Sequence, residues 1–191
     1  MANVPLTPLV GVNLYGSTAM VQWMNSVERR LAGAKYWTLF DHYADAGNTT
    51  TGETDLYSDT LDRGQLFTNG DKIVARYSVI YAANANTKRT RLYFGGTVIL
   101  DTTALARNNA AAQDWIDAVI IRESATVVRC AVVCIAHNGS GTLVVNPATY
   151  TRVTGLTLGD AQIVKLTGQS SAATDDIVAK LGIVSYVPAA V

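Results

Sequence analysis

Two histidines, His42 and His137, are the side chains in this 191-residue sequence best suited to acid–base chemistry. A Ser-His-Asp arrangement would need one of them as its base. His42 lies in a stretch rich in Asp and Thr, and His137 precedes the Gly-Ser-Gly of residues 139–141. That turn is not the G-x-S-x-G of a nucleophile elbow, because only one residue separates its glycines. We therefore interpret His137 as a strand-end or turn residue and predict no catalytic residue.

A second set of reactive side chains is the pair Cys130 and Cys134, with His137 close by. In a β-strand, positions four apart share a face and lie about 13 Å apart, whereas a disulfide needs Cα atoms within about 7 Å. A structural zinc site needs four ligands, and the chain has only two histidines. We interpret both cysteines as small apolar core residues, and we predict no metal site and no cofactor.

Carboxylates concentrate in residues 39–71, which are rich in Asp, Thr, Gly and Asn and which we predict to be mainly loops. Their spacing matches no calcium-binding loop, so we interpret them as solvated, although a calcium site and a paired-carboxylate glycosidase remain open. No phosphate-binding loop, dinucleotide fingerprint or H-E-x-x-H motif occurs. We predict that the chain is not an enzyme. The carboxylates are Asp41, Asp45, Glu53, Asp55, Asp59 and Asp62.

The strongest structural signal is KRTRLYFGGTVILDT, residues 88–102, which predicts a β-hairpin. Gly95 and Gly96 can adopt the positive φ angles of a two-residue hairpin loop. Leu92 and Phe94 would share one face of its first arm. Residues 72–83 form another alternating strand, and six or seven strands in residues 72–191 predict an antiparallel β-sandwich or jelly roll. The alternating positions predicted to face the core are Ile73, Ala75, Tyr77, Val79 and Tyr81.

Residues 1–38 differ in character, and we predict an extended arm followed by a short α-helix that ends near Gly33. Apolar positions of the helix are spaced 4, 3 and 4, as in a coiled-coil seam, but two heptads are too short for a stable coiled coil. The helix would either serve oligomerisation and docking or pack on its own domain. A β-sandwich domain at 39–191, with a loop-rich beginning at 39–71, completes the predicted organisation. The seam comprises Met20, Met24, Val27 and Leu31.

The overall composition indicates which classes of partner the chain is suited to bind. Charged residues make up 16% of the sequence, below the roughly 25% of typical soluble domains. This suggests that part of the surface is covered, most simply by copies of the same chain. The formal net charge is +0, which gives no support for nucleic acid as a partner. No apolar run reaches the ~18 residues of a membrane span, so we predict no membrane insertion.

Several segments together resemble the β-sandwich domains near the C-termini of bacteriophage fibre and appendage proteins. The segments are YAANANTKRTRLYFGGTVILDTTAL, WIDAVIIRESATVVRCAVV, IVKLTG and DDIVAKLGIVSYVP, and the resemblance spans about residues 64–188. The matching positions are structural rather than catalytic in type. They are Asn84, Asn86, Lys88, Gly95, Gly96, Trp115, Arg122, Asp176 and Ile177.

The resemblance implies a jelly-roll virion protein that forms a homotrimer, contacts other capsid or tail proteins, and is assembled in the host cytoplasm. Long fibres have extensive shafts, whereas only about 38 residues precede the loops here. We therefore expect a short fibre, a capsid decoration protein or an adaptor. The alternatives are a module that binds host-surface glycans through exposed Tyr and Trp, and a glycan-cleaving appendage.

Overall fold

The computed structural model describes residues 37–103, 105–106, 112–138, 143–172 and 174–189. All of them belong to one compact unit. The predicted N-terminal arm and the helix seam of Met20, Met24, Val27 and Leu31 lie outside the described residues, and both stay predictions.

Every regular element in the described ranges is a β-strand. The strands are β1 (Trp37–His42), β2 (Ala46–Gly47), β3 (Thr54–Leu61), β4 (Lys72–Tyr81), β5 (Thr87–Phe94), β6 (Thr97–Asp101), β7 (Leu105–Ala106), β8 (Ala112–Ser124), β9 (Val127–Asn138), β10 (Leu143–Val153), β11 (Gln162–Ser170) and β12 (Ile177–Val187).

The strands form two sheets. Sheet A has the order β1-β12-β4-β8-β9-β10, with the short β2 also paired to β12. Sheet B has the order β3-β11-β5-β6, with β7 paired to β5. All of these pairings are antiparallel. The prediction of a mainly β, antiparallel sandwich is confirmed, and the finer assignment to a jelly roll stays a prediction.

The core lies between the inner faces of the two sheets and follows the period-2 alternation of the strands. In β4, the five positions predicted to face the core are all buried, with exposed fractions of 0–5%. Cys130 and Cys134 are also buried on the inner face of β9, as predicted. Burial raises the pKa of the Cys130 thiol to about 12. Both cysteines therefore serve as core residues.

Residues 39–71, where we expected mainly loops, contribute β3 and most of β1. In β3, the inward positions Tyr57, Asp59 and Leu61 alternate with the exposed Ser58 and Thr60. We did not predict β3 from the sequence because it is largely polar, and one of its inward positions is an aspartate. The Asp59 carboxylate is buried because it pairs with His42 of β1.

The turn between β5 and β6 contains Gly95 and Gly96, with φ angles of 53° and 81°. Phe94 and Thr97 are paired on either side of it. A Cβ atom on Gly95 would lie 2.6 Å from Cδ2 of Leu156, whereas one on Gly96 would meet no atom within 4 Å. Both positions therefore need a left-handed backbone, and Gly95 also needs the absence of a side chain.

We expect Gly95→Val combined with Gly96→Val to impair folding severely. The left-handed conformation alone costs about 1–2 kcal/mol per non-glycine residue, and valine at 95 would also collide with Leu156. Gly95→Val should therefore lower the melting temperature more than Gly96→Val, measured by circular dichroism. Gly159→Val is the matched control, since a Cβ there meets nothing within 4 Å. A double variant with the wild-type melting temperature would contradict this account of the turn.

Candidate functional site

The outward side of sheet A carries a shallow groove of about 440 Å³ across β4, β8 and β9. These strands are apolar at many outward positions as well as inward ones, as strands covered on both faces usually are. The groove is lined by Val74, Arg76, Trp115, Asp117, Val119, Ala131, Val133 and Ile135.

The apolar side chains of this side form one contiguous patch. Trp115 is the cross-strand neighbour of Ile135, and Val119 is the neighbour of both Val74 and Ala131. The exposed fractions are 39% for Trp115, 36% for Val133, 39% for Ile135 and 62% for Tyr150 on β10. Contiguous exposed apolar surface of this kind marks interaction sites in soluble proteins. We call the patch the apolar face, defined as Val74, Trp115, Val119, Ala131, Val133, Ile135 and Tyr150.

The charges near the apolar face are paired within the chain. In its centre, Nε of Arg76 lies 3.3 Å from Oδ2 of Asp117, and both side chains are about half exposed. Beyond the face, where β8 ends, Glu123 accepts hydrogen bonds from Arg152 and Arg129. These hydrogen bonds hold the pKa of Glu123 at about 2. Arg76 and Asp117 cancel within the face, whereas the two arginines around Glu123 leave one excess positive charge beyond it.

The outer face of sheet B has the opposite chemistry. Nε of Arg89 lies 2.8 Å from Oδ1 of Asp101, and Nε of Arg91 lies 3.2 Å from Oδ2 of the same carboxylate. Arg91 also pairs with Glu53, which accepts a hydrogen bond of 2.6 Å from the Tyr93 hydroxyl. The two arginines and two carboxylates thus form one charged network along β5 and its neighbours.

This network bears on the expected glycosidase alternative, which needs one carboxyl group with a raised pKa as its acid. Burial opposes ionisation of Glu53, but hydrogen bonds from Thr167, Tyr93 and Arg91 outweigh it and lower its pKa. The hydrogen bond from Arg89 lowers the pKa of Asp101 further, well below its ordinary value. Neither carboxylate has the property that a general acid requires.

His42 is held in a structural contact between the two sheets. Its Nε2 lies 2.8 and 2.9 Å from the two oxygens of Asp59, and its ring stacks on Tyr57 with centroids 4.3 Å apart. The Tyr57 hydroxyl in turn donates to the carbonyl oxygens of Ala44 and Ala179. In the part of the chain that the structure describes, no hydroxyl or thiol group hydrogen-bonds to His42. The side chain of His137, in β9, lies outside the described residues.

Four residues of the resemblance meet in a buried polar network around Asp176. Its carboxylate accepts hydrogen bonds from Asn84 at 2.5 Å, Asn86 at 2.7 Å and Ser170 at 2.6 Å. The Lys88 ammonium, on a fully buried side chain, lies 2.7 Å from Oδ1 of Asn84. Burial opposes ionisation of Asp176, but the three hydrogen bonds outweigh it and lower its pKa. Asn84 and Asp176 are 92 residues apart in the sequence, so only the fold brings them together.

The backbone next to Asp176 is held by Asn48, from the loop between β2 and β3. The Asn48 amide donates to the carbonyl of Ile177, and the Ile177 amide donates to the Asn48 side chain. The Asp175 amide donates to the Asn48 carbonyl at 2.8 Å. The arrangement of this network supports a role in holding loops together.

The remaining positions of the resemblance lie elsewhere. Gly95 and Gly96 form the hairpin turn, and Trp115 lies on the apolar face. Arg122 donates a hydrogen bond of 2.7 Å to the carbonyl oxygen of Leu66, which fixes the loop before β4. Sequence reasoning missed the apolar face itself. The continuous apolar run of residues 130–136 in β9 indicated a strand that is apolar on both sides, but not which neighbouring strands complete the patch.

The described ranges contain no group of three or more His, Cys, Asp or Glu side chains that could hold a metal ion. Nor does any helix in those ranges have the length and apolar character needed to cross a membrane.

Comparison with known proteins gives a distant structural likeness. No protein-family model matches the chain, and no curated protein matches it. Among solved structures, it is similar to the CBM2 module of the evolved Dit of Lactobacillus casei BL23 phage J-1, with 10% sequence identity. The likeness covers 70% of each chain with a TM-score of 0.29. A TM-score of this size carries no inference about what this chain does.

We expect Asp176→Asn to destabilise the fold by about 1–3 kcal/mol at neutral pH, because it removes a buried, fully hydrogen-bonded carboxylate. The folded-state pKa of Asp176 is lowered, so its stabilisation is present above the unfolded pKa of about 3.9 and is lost as pH falls through the folded pKa. The difference in unfolding free energy between wild type and variant should therefore shrink below about pH 4.

Urea denaturation between pH 2 and 7 measures this difference. The matched control is Asp160→Asn, because among the described residues the Asp160 side chain makes an exposed ion pair with Arg63, and its other hydrogen bonds are through the backbone. A control variant that loses as much stability as Asp176→Asn, or a loss that does not vary with pH, would contradict the role of the ionised carboxylate.

Proposed function

We propose that this chain is a non-enzymatic structural subunit of a bacteriophage virion that assembles with copies of itself. The observation that carries the proposal is the apolar face, where Trp115, Val133 and Ile135 are each exposed by more than a third. Apolar surface left in water is unfavourable, and covering it with another protein removes that cost. A sequence with only 16% charged residues fits a subunit whose surface is partly covered.

The virion context is supported by the resemblance to phage fibre and appendage domains. Asn84, Asn86, Lys88 and Asp176 act together as a buried scaffold, so they suit a shared architecture better than a shared reaction. A short fibre, a capsid decoration protein or an adaptor is the proposed position, reached by assembly in the host cytoplasm. The N-terminal segment is proposed to dock the subunit on other capsid or tail proteins.

A second candidate is a glycan-binding module. The exposed ring of Trp115 lies on a sheet face beside Asp117 and near Arg76, and aromatic rings with adjacent polar groups can stack on sugar faces. Such a module needs no self-assembly, so the mass of the chain in solution separates the two candidates.

The structural role predicts that the purified chain is an oligomer at micromolar concentration. Covering the apolar face gives the physical reason, and the resemblance implies a trimer as the specific state. Light scattering coupled to gel filtration measures the mass against 20.4 kDa for one chain. A strictly monomeric chain at that concentration would count against the proposal and in favour of a glycan-binding module.

We expect deletion of residues 1–35 to leave a folded sandwich that no longer joins the particle. All described strands begin at Trp37 or later, so circular dichroism should show an unchanged β signal. Met24→Asp with Val27→Asp in the full chain should also prevent incorporation, because it places charge on the predicted seam. Incorporation is measured by adding each protein to particles that lack the native subunit.

The matched control for the seam variant is Asn25→Asp with Ser26→Asp, which adds the same charge beside the seam. Normal incorporation of the truncated chain would rule out a docking role for the segment. A truncated chain that fails to fold would show instead that the segment belongs to the core.

A further inference from the structure

We propose that the outer side of sheet A, which carries the apolar face, packs against the same side of a second copy, about a two-fold axis parallel to the strands between β4 and β8. The inference rests on the proposed function, because it names the partner of the surface through which the subunit assembles. The proposed function requires only that copies associate. This inference also states which residues of one copy contact which residues of the other.

The chemistry of the two outer sheet faces selects the partner surface. The apolar face is nearly neutral and needs a neutral, apolar counterpart. The outer face of sheet B carries Arg89, Arg91, Asp101 and Glu53, and burying this network would cost the hydration of four charges. Between the two outer sheet faces, the apolar face is therefore the better counterpart for itself.

The strand register makes the centre of the contact complementary to itself under this rotation. On either side of the centre, β9 lies over β12 of the second copy, with Val133 over Ile183. A two-fold axis between β4 and β8 places each residue of one strand opposite its cross-strand partner in the second copy. Those partners are Val74 with Val119, Arg76 with Asp117, and Ser78 with Trp115. Each Arg76 then lies over Asp117 of the second copy, so the two intrachain ion pairs become one group of four alternating charges.

The same rotation also matches side-chain size. The large ring of Trp115, 39% exposed in one copy, lies over the small Ser78 of the other. Val74 and Val119, two β-branched residues of equal size, face each other beyond the charged group. Sheets that pack face to face lie about 10 Å apart and interdigitate their side chains, which requires this kind of matching.

The size of the contact sets the expected strength of association. Strands β1, β12, β4, β8, β9 and β10 pair off across the axis and give a face about 25 Å wide and about 25 Å long over their shared length. The contact would bury about 600 Å² per copy, or about 1,200 Å² in total, at the lower end of stable interfaces. We therefore expect a dimer that dissociates measurably on dilution through the micromolar range.

Sedimentation equilibrium of the full chain tests the face. Val133→Asp should weaken dimerisation by at least about tenfold, because it places a charge inside the apolar contact. Ile163→Asp is the matched control, since Ile163 is similarly exposed, at 45%, on the outer face of sheet B. It should leave the dissociation constant unchanged, and circular dichroism should show that both variants are folded.

A charge exchange tests the register. Arg76→Asp alone and Asp117→Arg alone each place like charges opposite one another across the axis, so each variant should dimerise at least about tenfold more weakly than wild type. The double variant Arg76→Asp with Asp117→Arg should dimerise as strongly as wild type, but it should not form heterodimers with wild type, because like charges would then face each other across the axis. If Arg76 instead faced Arg76 of the second copy, wild type and the double variant would form heterodimers in preference to homodimers.

The outcomes separate this inference from the proposed function. A monomeric wild-type chain would overturn both. An oligomer that neither Val133→Asp nor the charge variants weaken would overturn the apolar face as the contact while leaving a self-assembling subunit. A trimer, the state that the resemblance implies, would overturn the two-fold axis alone and leave the proposed function standing.

Discussion

The Asp176 carboxylate and the backbone around it hold the sandwich together at the place where the chain crosses between its sheets. The loop from β4 to β5 carries Asn84 and Asn86, and the loop from β11 to β12 leads into Asp176 itself. Asn48, in the loop from β2 to β3, binds the backbone of residues 175 and 177. Three crossovers between the sheets thus share one set of hydrogen bonds. Crossing loops leave the strand ladders, so their polar groups need partners of this kind.

Within each sheet, the alternation of side chains along the strands determines which residues face the core and which face solvent. The inner faces form one apolar core, and the outer faces follow from the opposite positions of the same strands. Sheet B places arginines and carboxylates outward on β5 and β6, where they pair with each other. Sheet A places valines, isoleucines and Trp115 outward on β8 and β9. The two outer faces therefore differ in chemistry: the one on sheet B is charged and its charges are paired, whereas the one on sheet A is largely apolar.

Several of the polar side chains that first suggested chemistry hold strands or loops in the described part of the chain. His42 joins β1 to β3 through Asp59, and Glu53 lies among Arg91, Tyr93 and Thr167. Cys130 is a buried thiol on the inner face of β9. Each contact stabilises the sandwich, and none of them leaves a carboxyl group with the raised pKa of a general acid. The apolar face of sheet A is open to a partner, and we therefore propose assembly as the function.

The sequence by itself determined the local features: the mainly β class, the inward face of β4, the shared face of Cys130 and Cys134, and the glycine turn between β5 and β6. These depend on period-2 alternation and on backbone conformations that only glycine adopts easily, and both are visible within ten residues. The strand β3, with Asp59 inward, was not predicted because its partner His42 lies 17 residues away. The Asp176 network and the apolar face were decided only by the tertiary structure. Pairing over about 90 residues and the order of strands in sheet A are long-range, and no local pattern shows which apolar strand face will be left uncovered.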